Sequence, residues 1–245
     1  MNRVEKHEFA LYYKGLSVDV VVGNFLLIDD VELVRRVCSV LRLSVNDKCV
    51  LFSSSIRATC IISVIQKKSF SCKVIMVAPV LALQPSITLM LPLLKREALE
   101  NVVYNATAMG VGVIQLVSTE KTAHWSGAKE LDRLMRIAIA AAEQSKQFVL
   151  PLIIEPIILP MFLEKPLQCS IALHADVEGI CFQKIISTFS YKESFLLSVG
   201  PEGDLTALER DLLLKAGFTF VRLTPSILKS ENAFNVLIGI VRSFT

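Results

Sequence analysis

From residue 78 onward, apolar strand-like runs and amphipathic helical runs take turns along the chain, and few folds accommodate that alternation. The runs "SITLMLPLL", "VGVIQLV", "CSIALHA", "SFLLSVG" and "FTFVRL" read as strands. Helices are predicted over 96–109, 128–146 and 206–216, with a short one near Phe182 and a last one from Glu231. Parallel strands need a crossover between them, and a helix usually supplies it. A mainly parallel sheet covered by helices on both faces follows, an α/β fold.

The first 77 residues read differently. Short β-like runs, "KCVLFSS", "ATCIISVI" and "SCKVIMV", are separated by polar turns, with one helix predicted over "DVELVRRVCSVL". This predicts a small β-barrel and two domains, 1–77 and 78–245. Charge divides at the same place: residues 1–77 hold eleven Lys and Arg against seven Asp and Glu, and the remainder fifteen against sixteen. An N-terminal module that meets a polyanion would show that asymmetry, and so would an ordinary solvated basic surface.

Several function classes drop out. The most apolar segment, residues 149–162, contains Glu155 and three prolines and falls short of the ~20 residues of a spanning helix. The opening "MNRVEKHEFALYYKG" lacks the apolar core of a signal peptide, so a cytoplasmic location is expected. Six cysteines sit apart, without a CxxC pair or a histidine at ligand spacing, and are read as buried reduced thiols; no metal is expected. Neither G-x-G-x-x-G after the first strand nor G-x-x-x-x-G-K-[ST] occurs. His7, His124 and His174 stand in unrelated contexts, and His124 beside Trp125 reads as surface or interface.

Ligands of parallel sheets bind where loops leave the carboxyl ends of strands. Three such loops are chemically unusual: "ALHADVEG" after the strand at 170–173, "VGPEGD" at 199–204 in "LLSVGPEGDLTALERDLL", and "LTPSILKSENA" after 221–223. All three are expected at one edge. Gly200 and Gly203 remove side chains where a ligand could reach backbone, and Pro201 fixes φ between them. The residues alone allow a binding loop or a tight turn.

The segments "VGPEGDLTALE", "LTPSILKSENA", "IAIAAAEQSKQFVLP", "LKREALENVVYNATAMGVGVIQLVSTEK" and "VLRLSVNDKCVLF" stand in the order and spacing of the ribosomal small-subunit RNA uridine methyltransferase E family. The chain therefore resembles that family, of the SPOUT class of trefoil-knotted methyltransferases, over nearly its whole length. The resemblance implies a PUA-like RNA-binding barrel followed by a knotted methyltransferase domain, a homodimer, and S-adenosylmethionine as cofactor. It implies methylation of ring nitrogen 3 of a uridine in 16S ribosomal RNA of the small subunit. That nitrogen carries a proton on the pairing edge, so the base must be unpaired and the proton must leave.

Carried over residue by residue, the implied cofactor site comprises Leu173, His174, Val199, Gly200, Pro201, Glu202, Gly203, Leu223, Ile227, Leu228 and Asn232. From the residues alone, Leu223 and Leu228 read as core. Glu202, Glu231 and Lys229 are the implied catalytic group, with Glu143 a further carboxylate at a matching position; Glu231, at a helix start, also reads as dipole compensation. Arg35, Arg36, Arg42, Lys95 and Lys121 are the expected RNA contacts. The chain departs from the family pattern at Asp204, where the family has glycine, at Asn46, also a family glycine, and at Ser226 and Lys229, both family arginines. Those losses keep two other readings open: a ribosome-binding protein of the same fold with weak or lost catalysis, and a knotted methyltransferase with another RNA target.

Overall fold

The computed structural model describes residues 8–190 and 192–243, so His7 lies outside the described residues. The chain divides into two compact units, Met1–Leu81 with Glu143–Phe148, and Ala82–Ala142 with Val149–Thr245.

The first unit is a five-stranded mixed sheet. Its strands are β1 (Phe9–Tyr12), β2 (Phe25–Ile28), β3 (Lys48–Phe52), β4 (Ile56–Ile65) and β5 (Phe70–Pro79), in the order β1-β3-β4-β5-β2. Only β1 and β3 run parallel. The expected helix forms as α1 (Val31–Arg35), capped by the Asp30 carboxylate on the Leu33 N–H at 2.8 Å. It widens at once into a turn in which the Leu41 N–H reaches back five residues to the Arg36 carbonyl at 2.8 Å. Asn46 sits at φ 73°, the left-handed conformation that asparagine tolerates where the family has glycine.

The cysteines correct the expectation of isolated buried thiols. All are free, but Cys38, Cys169 and Cys181 are only half-buried. Cys49, Cys60 and Cys72 are fully buried in one core, with Cys49 and Cys60 directly opposite on β3 and β4.

The second unit is a six-stranded, all-parallel sheet. It comprises β6 (Ser86–Pro92), β7 (Val113–Ser118), β8 (Leu152–Ile158), β9 (Ile171–Cys181), β10 (Ser194–Val199) and β11 (Thr219–Arg222), in the order β11-β9-β10-β6-β7-β8. Its helices are α2 (Arg96–Ala108), α3 (Ala128–Ser145), α4 (Leu159–Leu163), α5 (Ala207–Lys215) and α6 (Ser230–Arg242), with the last turn of α3 counted in the first unit. Alternation along β10 shows why both faces are covered. Phe195 and Leu197 pack with Leu99 of α2 and Phe234 of α6, whereas Leu196 packs with Leu213 of α5. At the far end of α6 the Arg242 guanidinium donates to the carbonyls of Met109 at 2.7 Å and Gly110 at 2.6 Å, closing the end of α2.

Two expectations change here. The proline-broken segment, excluded as a membrane span, makes strand β8 and helix α4. Pro156 is accommodated because β8 is the edge strand and its register shifts beside that residue. Among the described residues no helix is long and apolar enough to cross a membrane. The strand predicted to end at Leu173 instead runs to Cys181 as β9. Its pairing with β11 jumps from His174↔Phe220 to Ile180↔Val221, so residues 175–179 form an excursion within the strand. A Cβ on Gly179 would lie 2.5 Å from the Val221 nitrogen, so the two backbones can approach only with glycine there. The short helix expected near Phe182 is two successive 3₁₀ turns.

Candidate functional site

The loop after β10 is the centre of the candidate site. Pro201 accepts the Asp204 N–H at 2.9 Å, closing a tight turn, and Asp204 takes φ 60° with its own carboxylate on the Leu205 N–H at 2.7 Å. Aspartate thus serves where the family has glycine, because a short carboxylate stabilises the left-handed conformation locally. Thr206 then starts α5 with a capping box: its hydroxyl accepts the Glu209 N–H while Glu209 accepts the Thr206 N–H.

Three other points of the chain are tied to this turn, and a fourth to the helix α5 that follows it. Ser230, opening α6, donates its hydroxyl to the Gly200 carbonyl at 2.7 Å. The Glu202 carboxylate accepts the Lys95 N–H at 3.0 Å, at the start of α2. Lys121 donates its ammonium to the Gly203 carbonyl at 3.0 Å, and the Glu120 N–H is held by Glu209 at 2.8 Å. The loops after β6, β7 and β10 and the start of α6 therefore converge at the carboxyl edge of the sheet.

This brings together Val199, Gly200, Pro201, Glu202, Gly203, Lys95 and Lys121 of the expected set. Lys229, Glu231 and Asn232 join them on the first turn of α6: Lys229 is its N-cap residue and exposed, Glu231 is half-buried and Asn232 exposed. Leu223 and Leu228 pack partly against the core, while Ile227 stands 84% exposed at the tip of the same loop. Apolar surface is thus open beside a side-chain-poor turn, which is what a compact partly apolar ligand requires.

Leu173 and His174 lie elsewhere than in a loop. Both are buried inside β9, where the His174 Nδ1 is 3.2 Å from the Ser198 hydroxyl and its ring centroid 4.8 Å from that of Phe220. Burial pushes the His174 pKa down to about 4, so the ring is neutral. The adjoining excursion is held by Arg210, whose guanidinium pairs with Asp176 and Glu178 and covers the Phe220 ring at 5.3 Å.

The remaining expected residues sit in the first unit. Glu143 is clasped by the Arg36 guanidinium through both carboxylate oxygens and accepts the Tyr12 N–H at 2.8 Å. It is a structural anion, apart from Glu202 and Glu231. Arg36 is correspondingly not the free cation expected: it is half-buried, and its hydrogen bond to Glu143 raises its pKa. Arg35 and Arg42 are exposed. Among the described residues no cluster of His, Cys, Asp and Glu could hold a metal.

Ser230, Glu209 and the Arg210–Asp176 pair were missed in the sequence. "TALE" carries the capping-box spacing and was readable. Nothing local links Arg210 to a residue 34 positions earlier.

An all-parallel sheet covered on both faces defines a doubly wound α/β domain, a class in which ligands bind at the carboxyl edge where these loops converge. The chain belongs to the RNA methyltransferase domain family, whose model matches residues 82–242. It is 29% identical over 160 residues to the ribosomal RNA small subunit methyltransferase E of Synechocystis, covering 62% of this chain and 52% of that one. To the enzyme of the same name from Aquifex aeolicus it is 26% identical over 60% of this chain and 64% of that one. It thus spans about half to two-thirds of the length of these curated relatives. The fold is similar to that of a ribosomal RNA small subunit methyltransferase E from Neisseria gonorrhoeae bound to S-adenosyl methionine. That match has TM-score 0.84 at 25% identity, over 97% of this chain and 98% of that one. A Legionella pneumophila methyltransferase in complex with SAM matches in fold with the same TM-score at 22% identity, over the same shares of the two chains. The family resemblance read from the motifs is borne out.

Proposed function

We propose that this protein is an S-adenosylmethionine-dependent methyltransferase acting on ring nitrogen 3 of a uridine in 16S ribosomal RNA of the small subunit. The observation that carries the reading is the turn at 200–204, tied by hydrogen bonds to the loops after β6 and β7 and to α6. The names of the relatives support the RNA class, and S-adenosyl methionine in the Neisseria gonorrhoeae structure supports the cofactor.

The residues present fit that cofactor. Backbone of Val199, Gly200 and Gly203 would hold its polar parts, and Leu223, Ile227 and Leu228 would give the adenine an apolar slot, with Ile227 already open to it. When bound, the cofactor supplies a methyl group on a sulfonium, an activated donor, so positioning carries much of the rate. Of the expected catalytic carboxylates, Glu231 and Glu202 stand at this edge. Glu202 already accepts one N–H, which leaves Glu231 the freer group to take the proton from the ring nitrogen. Lys229 would face the substrate's anionic backbone.

The finer architecture belongs to the same proposal: a trefoil knot at the C-terminal end of a SPOUT domain over 78–245, and a PUA-like barrel over 1–77 that holds RNA. In that barrel the end strands β1 and β2 are unpaired with each other. A homodimer through α6 is part of the proposal, supported by exposed Asn232, half-buried Val236 and Gly239, and the sheltered Asn235 Oδ1, which has no hydrogen-bond partner. The location proposed is the cytoplasm.

One observation favours a second reading, a ribosome-binding protein with weak catalysis: Ser226 and Lys229 stand where the family has arginines. Mapping base modifications in the ribosomal RNA of cells lacking this protein decides between them. A uridine methylated at ring nitrogen 3 in normal cells and unmethylated in the deletion supports the first reading; identical modification maps refute it.

A further inference from the structure

We propose that Arg57, on the outer face of the first unit's sheet, binds a phosphate of the RNA backbone. The inference deepens the RNA reading above and rests on it.

Strand β4 alternates across the sheet. Ala58, Cys60 and Ile62 are fully buried in the core, which puts Arg57, Thr59 and Ile61 on the outer face. The half-buried Arg57 guanidinium lies over the Phe148 ring, 5.0 Å from its centroid, and both residues belong to the first unit. Among the described residues Arg57 has no ion pair and no hydrogen bond; its Nε is buried without a partner, and the Nη end is the part open to a ligand. Arg36 in the same unit carries its counter-ion with it, as Glu143. Arg57 has none, and a half-buried charge left unpaired is costly unless a ligand supplies the opposite one.

The surroundings select a polyanion. Strands β3, β4 and β5 carry Lys48, Arg57 and Lys73 and no acidic residue. By register Lys48 and Lys73 flank Ile61 on the same face as Arg57, and both are exposed. The turn from β4 to β5 adds exposed Lys67 and Lys68. Of the carboxylates at the border, Asp47 accepts the Ser44 N–H at 2.8 Å, Glu143 is clasped by Arg36, and Glu8 stands one residue ahead of β1. Asp19, Asp29, Asp30 and Glu32 flank β2, two strands away from β4. Cations spread along one face suit a chain of phosphates, and a guanidinium held flat on an aromatic ring presents its planar fork already ordered.

The test titrates a fragment of small-subunit ribosomal RNA against the full chain, parent and Arg57→Met, by filter binding over a salt series. Methionine keeps an apolar stem for Phe148 and removes the charge. The expected result is several-fold weaker RNA binding, a salt dependence flatter by about one unit of log–log slope, and an unaltered affinity for S-adenosylmethionine. In chloride the variant should melt no lower than the parent, since an uncompensated charge is gone. Inorganic phosphate at matched ionic strength should raise the melting temperature of the parent more than that of the variant. Should Arg57→Met melt lower, Arg57→Lys is the second variant: it keeps the charge and the salt slope but loses the fork, so RNA binding should still weaken. Equal RNA affinity in parent and variants overturns this proposal alone, and stabilisation by free phosphate without any loss of RNA affinity overturns its assignment to RNA. A parent that binds no RNA overturns it together with the RNA reading.

Discussion

The Ser230 hydroxyl donates to the Gly200 carbonyl at 2.7 Å, fixing the first turn of α6 to the loop after β10. Two segments thirty residues apart thereby share one geometry at the proposed cofactor site. Ser230→Ala should weaken S-adenosylmethionine binding about fivefold, near the roughly 1 kcal/mol of one hydrogen bond. Calorimetry against the parent checks it; unchanged affinity would mean the turn holds its shape without α6.

Asp204 occupies φ 60°, which costs most residues about 1 kcal/mol or more. Asp204→Ala should therefore lower unfolding stability by roughly 1–2 kcal/mol. Asp204→Gly, which restores the family residue, should stay within a few tenths, because glycine meets no penalty there. Denaturant melts of the two variants give the comparison.

His174 supplies a pH dependence. Desolvation depresses its pKa to about 4 in the fold, with Asp176 and Asp204 opposing the shift and Arg210 adding to it, whereas the unfolded chain takes up a proton near 6.5. The stability it contributes is complete above pH 6.5 and is lost as pH falls toward 4, on the order of 3 kcal/mol in all. Thermal melts of the parent should lose more over that range than those of His174→Asn; parallel curves would rule the ring out as the titrating group.

The two exposed arginines and the engaged one should separate cleanly. Replacing Arg35 and Arg42 by glutamine should flatten the salt dependence of ribosomal RNA binding by about one to two units of log–log slope. Arg36→Gln should instead destabilise the fold by roughly 1–2 kcal/mol, since it strands the buried Glu143 carboxylate. A filter-binding salt series and a melt distinguish the two effects.

For the proposed dimer, Gly239 is the sensitive position. A Cβ there meets nothing within 4 Å, so Gly239→Trp leaves the monomer intact while obstructing a close helix contact between copies. Sedimentation should show the mass fall from twice to once that of the chain. A parent already monomeric at micromolar concentration would end the dimer proposal.

The parallel sheet was legible because its signal is periodic and repeated: five strand-like runs each followed by a helical pattern leave little choice of fold. Strand β8 was not, because Pro156 within it speaks against a strand and only its position at the edge makes that proline harmless. In the site, the turn at 200–204 announced itself through glycine and proline. Its moorings at Lys95, Lys121 and Ser230 could not, since a backbone N–H or carbonyl has no signature in sequence. The same holds for Arg36: helical spacing predicted an exposed arginine, and a carboxylate 107 positions away removed it from the surface.

The three thiols in the core of the first unit carry a practical consequence. Burial pushes the Cys49 thiol up to about 12, and Cys60 is raised further by its hydrogen bond with Cys72 and by burial. A reagent that attacks thiolates can reach none of the three, all fully buried, until the strands part. Their alkylation rate in water, set against that of half-buried Cys169 or Cys181, therefore times the opening of that sheet without denaturant. The protein carries an internal stopwatch for its own local unfolding.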